Sequence, residues 1–114
     1  MSIADILNSK KVSLSFEVFP PKKKEALESI KETALSLTKL NPDFISVTFG
    51  AGGTTQGYTA EIAEAIENNG TTSLAHLTCV RSTLEALEAT IADLKKRNIK
   101  NVLALRGDLP KDAL

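Results

Sequence analysis

The stretch Val102-Leu103-Ala104-Leu105-Arg106-Gly107-Asp108 decides the fold class, because it is a short apolar run that ends in polar residues and has three counterparts upstream. The counterparts are runs 12–19, 44–50 and 73–79, which carry Glu17, Thr48 and His76. The runs recur about every 30 residues, the length of a strand–helix–strand unit. Such repeats give parallel strands, and ligand sites collect at their carboxyl ends. We therefore predict an α/β fold with parallel strands over 12–19, 44–50, 73–79 and 102–106.

Apolar residues between these runs follow helical spacing and predict four helices, over 2–9, 26–40, about 59–68, and after Ser82. The spacing of Ser82 and Glu85 is that of a capping box, and Gly70 stands where a helix C-cap is expected. The predicted buried stripe of the last helix consists of Leu84, Leu87, Ile91 and Leu94.

The two faces of each predicted strand differ, with large apolar residues on one face and small or polar residues on the other. A doubly wound sheet needs apolar residues on both faces, whereas a β/α barrel can turn a polar face inward near its catalytic mouth. Four strands and three crossover helices make half of an eight-unit (β/α)8 barrel. We therefore expect residues 1–114 to be the N-terminal half of a single barrel domain, as a fragment.

The composition excludes several classes of function. Fourteen basic and fourteen acidic side chains leave no net charge, so no basic field indicates a nucleic-acid partner. The single cysteine cannot form an internal disulfide, no apolar run approaches the roughly 20 residues of a membrane span, and the first residues do not resemble a signal peptide. These features favour a cytoplasmic protein without a membrane partner.

Glu17 is the first candidate for chemistry, because it lies between Phe16 and Val18 just before two prolines. Partial desolvation there would raise the pKa of a carboxyl group and suit it to proton donation. The alternative is a structural ion pair with Lys22 or Arg106.

Arg106 and Asp108 project to the same side of the last run, so Arg106 could hold a phosphate while Asp108 contacts a heterocycle. The alternative is an internal ion pair between the two. A lone His76 is more often a hydrogen-bonded residue than a catalyst, and its better functional interpretation is a hydrogen bond to a cofactor. No second histidine exists to build a metal site, and we expect none.

Four motifs resemble the methylenetetrahydrofolate reductase family, in order and at the right spacing. They are Ser15-Phe16-Glu17-Val18-Phe19-Pro20-Pro21, Phe44-Ile45-Ser46-Val47-Thr48-Phe49-Gly50-Ala51, His76-Leu77-Thr78-Cys79 and Leu105-Arg106-Gly107-Asp108-Leu109-Pro110. The resemblance covers essentially the whole chain but only about the first two-fifths of the family's catalytic barrel.

The resemblance implies a (β/α)8 barrel that binds FAD and reduces 5,10-methylenetetrahydrofolate to 5-methyltetrahydrofolate with NADH or NADPH, in one-carbon metabolism and methionine biosynthesis. Hydride passes to the flavin and then to folate in a ping-pong sequence. Glu17 is implied as the general acid and Asp108 as a second folate contact. The implied flavin neighbours are Thr48, Phe49, Ala51, His76, Arg106, Gly107 and Asp108. The full-length protein is expected to be a homo-oligomer, and the chain alone to lack activity.

Two other interpretations stay open. A different barrel enzyme could use Arg106 and the glycine-rich residues 50–53 to bind a phosphorylated substrate without flavin. A non-catalytic half-barrel could instead assemble with a partner chain. Flavin bound to the purified protein would argue against the first, and size-exclusion with flavin titration would test the second.

Overall fold

The computed structural model describes residues 2–10, 12–49, 56–80 and 82–107, which form four strands that alternate with helices. The elements, in order, are α1 (Ile3–Ser9), β1 (Ser15–Val18), α2 (Leu27–Thr38), β2 (Phe44–Val47), α3 (Gln56–Asn68), β3 (Ser73–Thr78), α4 (Leu84–Lys96) and β4 (Val102–Leu105). A single 3₁₀ turn at Lys24–Ala26 leads into α2. None of the helices in these described ranges is long and apolar enough to cross a membrane.

The four strands form one parallel sheet in the order β1-β2-β3-β4. A doubly wound sheet reverses its strand order at a switch point, and this sheet does not reverse. Four parallel strands in sequential order, each reached through a crossover helix, match the N-terminal part of a β/α barrel. The predicted fold class is therefore confirmed.

The main core lies between one face of the sheet and the helices. The strand residues on this face are Val18, Ile45, Val47 and Ala75, each at most 7% exposed. They pack against Leu27 and Ala34 of α2, Ala60, Ile62, Ala63 and Ile66 of α3, and Leu94 of α4. Because successive strand residues alternate between faces, the residues next to them along each strand lie on the opposite face, away from the helices.

That opposite face is less polar than the sequence predicts. Register places Phe44 beside Ser15, and Leu103 and Leu105 beside His76 and Thr78. The expectation of a small or polar face in every strand is therefore wrong for the fourth strand and for the starts of the second and third, where Phe44 and Leu74 lie on this face. Polar side chains are concentrated toward the carboxyl ends of the first three strands, at Glu17, Ser46, His76 and Thr78.

Strand β1 begins at Ser15, three residues later than predicted, and Val12 is 83% exposed. The segment before β1 is instead bound by Asp43, which lies just before β2. Its carboxylate accepts a hydrogen bond from the Leu14 amide at 2.9 Å and pairs with the Lys10 ammonium group. These two contacts, the Lys10 hydrogen bond first, lower the pKa of Asp43 below its ordinary value. The other predicted strands end one to three residues early, at Val47, Thr78 and Leu105.

Helix α4 differs most from its sequence-based prediction. Leu94 is buried, but Leu84 is 74% exposed and Ile91 is 41% exposed, so the predicted stripe is wrong at these two positions. The residues that face a cavity between α3 and α4 are instead Ala86, Ala89, Thr90, Asp93 and Leu94. The N-cap of α4 is Thr83 and not the predicted Ser82. The Thr83 hydroxyl oxygen accepts a hydrogen bond from the Ala86 amide at 3.0 Å.

The predicted cap of α3 is confirmed. Gly70 has a φ of +87°, its amide donates to Glu67, and the Thr71 amide donates to Ile66. This pair of hydrogen bonds is the Schellman motif, which needs a residue in the left-handed region. Asn98 plays the same part after α4, with a φ of 62°.

Candidate functional site

Glu17 and His76 meet on the face of the sheet that points away from the helices. Glu17 lies one residue before the end of β1, and His76 lies two residues before the end of β3. Their side chains approach to 3.7 Å between Glu17 Oε1 and His76 Nε2. The structure thus brings together two residues that the sequence proposed separately, an acid and an imidazole.

Phe16 and Val18, the sequence neighbours of Glu17, do not cover its carboxyl group. Phe16 and Val18 lie on the helix-facing side of the sheet, because strand residues alternate between faces. The Glu17 side chain is 49% exposed, so the described residues leave it open to a ligand. The structure gives it His76 as its partner, and neither Lys22 nor Arg106 is within ion-pair distance among the described residues.

Thr48 directly follows β2 and is held by two hydrogen bonds. Its amide donates to the Val18 carbonyl at 3.0 Å, and its carbonyl accepts from the Thr59 hydroxyl at 2.9 Å. Thr59 lies in the first turns of α3 and is 2% exposed. This helix residue therefore fixes the carboxyl end of β2. Sequence analysis did not identify Thr59, and its polar side chain in an apolar helix face was the available signal.

Arg106 and Gly107 follow β4 and are tied to the end of β3. The Val80 amide donates to the Arg106 carbonyl at 2.7 Å, and the Cys79 amide donates to Leu105 at 2.8 Å. The Arg106 side chain is exposed, and its Nε donates to the Gly107 carbonyl at 3.2 Å. The guanidinium group therefore remains accessible to an anion.

Gly107 cannot be replaced without rearrangement. It has a φ of +88°, and a Cβ built on it would lie 2.2 Å from Thr78 Cγ2 and 3.0 Å from Val80 Cγ1. Only glycine tolerates both the left-handed backbone and this close approach. Gly107 therefore lets the turn after β4 pack on β3.

Phe49 lies apart from Glu17. It borders a cavity of about 410 Å³ between α3 and α4, together with Thr59, His76, Thr90 and Asp93. Ala51 and Asp108, which the sequence also nominated, lie outside the described residues, as does the whole glycine-rich stretch 50–53. No cluster of three or more potential metal ligands occurs within the described part of the chain.

The described arrangement combines three chemical capacities at one end of a parallel sheet. Glu17 can exchange a proton with a ligand, His76 can exchange a proton with Glu17, and Arg106 offers a fixed positive charge. Ser46 on β2 is the register partner of Glu17, and Thr78 lies two residues after His76 on the same face of β3.

Comparison with known proteins gives one family. The sequence profile of methylenetetrahydrofolate reductase matches residues 2–114. "Methylenetetrahydrofolate reductase (NADH) 1" of Zea mays is 39% identical over 101 residues, which are 88% of this chain and 17% of the relative. The protein of the same name in Arabidopsis thaliana is 36% identical over 109 residues, 95% of this chain and 18% of the relative. "5,10-methylenetetrahydrofolate reductase" of Escherichia coli is 35% identical over 100 residues, 87% of this chain and 34% of the relative.

The chain thus spans between about a sixth and a third of the length of these relatives. The match extends over all four strands and over every described site residue. The chain belongs to the methylenetetrahydrofolate reductase family.

Proposed function

We propose that this chain forms the N-terminal half of the β/α-barrel catalytic domain of a cytoplasmic reductase that converts 5,10-methylenetetrahydrofolate to 5-methyltetrahydrofolate, with FAD as cofactor and NADH or NADPH as donor. The observation that carries the proposal is the approach of Glu17 to His76 at the ligand-binding end of a parallel sheet, in a member of this family. In the full-length protein we expect a homo-oligomer.

The described residues fit a flavin. Arg106 presents an exposed guanidinium group, which suits the diphosphate. At the ends of neighbouring strands, Thr48 and His76 provide polar side chains, and Gly107 provides backbone without a side chain. Phe49, Ala51 and Asp108 complete the proposed flavin neighbours. Bound FAD supplies the hydride chemistry, since no protein side chain carries a hydride.

Glu17 supplies the proton in this proposal. Its carboxyl group gives a proton to a nitrogen of the folate five-membered ring, a carbon–nitrogen bond of that ring opens, and the carboxyl group becomes a carboxylate. The proton makes the nitrogen a better leaving group, so the opened ring is ready to accept hydride. Asp108 is proposed as a second folate contact. NAD(P)H and folate use the site in turn.

Flavin binding and turnover test the proposal against its alternatives. We expect the full-length reductase to purify with bound FAD and to oxidise NAD(P)H in the presence of 5,10-methylenetetrahydrofolate. A protein that binds no FAD yet acts on a phosphorylated substrate would favour the flavin-independent barrel enzyme instead.

For the isolated 114-residue chain we make a separate prediction about FAD binding and association. Both edges of its described sheet, β1 and β4, lack a neighbouring strand, and β4 is exposed along its whole length. Open strand edges promote association, and an incomplete site weakens binding. We expect weak FAD binding, no turnover and a tendency to associate. A monodisperse monomer with stoichiometric FAD would contradict this.

A further inference from the structure

The contact between Glu17 and His76 spans a strand. Strands β1 and β3 are separated by β2, so their backbones lie roughly 9–10 Å apart. The 3.7 Å between the Glu17 carboxylate and the His76 imidazole therefore means that both side chains lean toward each other above β2.

Short side chains on β2 permit this contact. Ser46 is the register partner of Glu17, and Thr48 follows Val47, the partner of Ala75. The path from Glu17 to His76 crosses between Ser46 and Thr48. Ser46 is only 7% exposed, so the groups above it leave little free space for a larger residue.

Glu17 is the carboxylate that His76 faces. The β2 residues nearest to His76 in register are Ser46, the partner of Leu74, and Thr48, which follows the partner of Ala75. On β4 the partner of His76 is Leu103. Asp93 of α4 borders the same cavity as His76, but its carboxylate is already bonded to the Arg97 side chain at 3.1 Å. The structure thus pairs the imidazole with Glu17 among the described residues.

His76 also borders the cavity of about 410 Å³ on the helix side of the sheet. At roughly 30 Å³ per water molecule, this volume holds on the order of ten waters. Thr59, Thr90 and Asp93 supply polar groups in its wall. Because strand residues alternate between faces, the His76 imidazole lies on the Glu17 side of the sheet, and the strand separates the imidazole from this cavity.

We propose that His76 is a positioning residue that holds Glu17 and returns its proton after each turnover. The inference rests on the proposed function of Glu17 as the acid. After Glu17 has given its proton to folate, the His76 imidazolium transfers its Nε2 proton to Glu17 Oε1, which leaves a neutral imidazole and a protonated carboxyl group. The imidazole then takes a proton from solvent water, through the 12% of the His76 side chain that is exposed on the Glu17 side of the sheet.

Two features favour this return path. A folate molecule seated on Glu17 covers its exposed side, so water reaches the carboxylate less readily. An imidazolium ring carries a proton on each nitrogen and can donate one while keeping the other, whereas a carboxylate has no proton to give. A rotation of either side chain shortens 3.7 Å to the roughly 2.8 Å of a hydrogen bond.

The contact can be tested in the 114-residue chain without any activity. His76 is its single histidine, so the ring-nitrogen signals in an NMR spectrum need no assignment among several. We expect Glu17→Gln and Ser46→Val to shift these signals, and Glu25→Gln and Ser46→Ala to leave them in place. If Glu17→Gln left the ring signals unchanged, the contact would be disproved, whatever the function of the protein.

The role is tested in the flavin-loaded, full-length reductase with His76→Gln. We expect the rate of steady-state folate reduction to fall roughly tenfold above neutral pH and by a smaller factor at acid pH. The loss of a direct acid catalyst would lower the rate by ~10²-fold or more. Imidazole buffer should restore the rate. Because His76 is also a proposed flavin neighbour, the flavin content and the reaction of NAD(P)H with flavin are compared in Ser46→Val, where both should stay within a few-fold.

Ser46→Val should reproduce this pH-dependent loss without altering a proposed flavin neighbour, and Ser46→Ala should not. An equal loss at every pH without imidazole rescue would overturn the proton-return role and leave His76 as a flavin contact. If Glu17→Gln caused no selective loss of folate reduction, the proposed function of Glu17 as the acid would be wrong. This outcome is distinct from a failure of the role proposed for His76.

Discussion

Gly107→Ala should destabilise the protein by clearly more than Gly70→Ala, although both glycines have nearly the same backbone conformation. Their φ angles are +88° and +87°. An alanine in this region costs roughly 1–2 kcal/mol of conformational strain, and both variants share this cost. The two positions differ in what the new Cβ would meet, so their comparison isolates the close packing of Gly107 on β3.

The extra cost at Gly107 comes from Thr78. A Cβ at Gly70 would have no atom within 4 Å, whereas at Gly107 it would lie 2.2 Å from Thr78 Cγ2. Carbon atoms pack at about 3.5–4.0 Å, so the two elements must separate by more than about 1 Å. Thr78 is β-branched and has few alternative rotamers. Overpacking of this kind costs roughly 1–3 kcal/mol beyond the shared strain.

Urea unfolding measures the difference. With an m-value of about 2 kcal/mol/M, the midpoint of Gly107→Ala should lie roughly 0.5–1.5 M below that of Gly70→Ala. Thr78→Ser removes Cγ2 and should recover part of this loss in the Gly107→Ala background, while the Val80 contact remains. Equal midpoints for the two alanine variants, or no recovery with Thr78→Ser, would refute the reasoning.

Two further predictions concern residues that hold the strands. Because Lys10 and the Leu14 amide lower the pKa of Asp43, its stabilising contribution is present above the ordinary carboxyl pKa of about 4 and is lost as the pH falls through the lowered value. Asp43→Asn should therefore lose less stability than the wild type between pH 6 and 3 in urea titrations, and an unchanged pH dependence would contradict this. Thr59→Val leaves the Thr48 carbonyl without its 2.9 Å partner and should cost about 1–2 kcal/mol, whereas Thr90→Val, which removes only a bond within α4, should cost less.

The sequence predicted what depends on local periodicity. Alternation around Glu17 and His76 identified the strands and their shared face, and the spacing of the four runs gave parallel order. The Gly70 cap was predictable because a left-handed residue after a helix is a local requirement.

The rest depends on tertiary packing. Helix α4 is amphipathic, but the spacing of Leu84 and Ile91 could not show that small residues would face the sheet beside a cavity. Likewise, the contact between Glu17 and His76 arises only because β2 carries short residues between them, and no spacing in the sequence encodes a distance across a strand. Thr59 was missed because its partner is a backbone carbonyl 11 residues away.

The most direct test of the account is Glu17→Gln in the full-length reductase, with the two half-reactions followed separately by flavin absorbance in stopped flow. Glutamine keeps the shape of the side chain and removes the transferable proton. Folate reduction should fall by roughly 10²–10⁴, the usual contribution of general acid catalysis. Flavin reduction by NAD(P)H should remain within a few-fold, because it needs no proton from Glu17. If both half-reactions slowed equally, Glu17 would shape the flavin site instead of acting as the acid, and the central claim would be wrong.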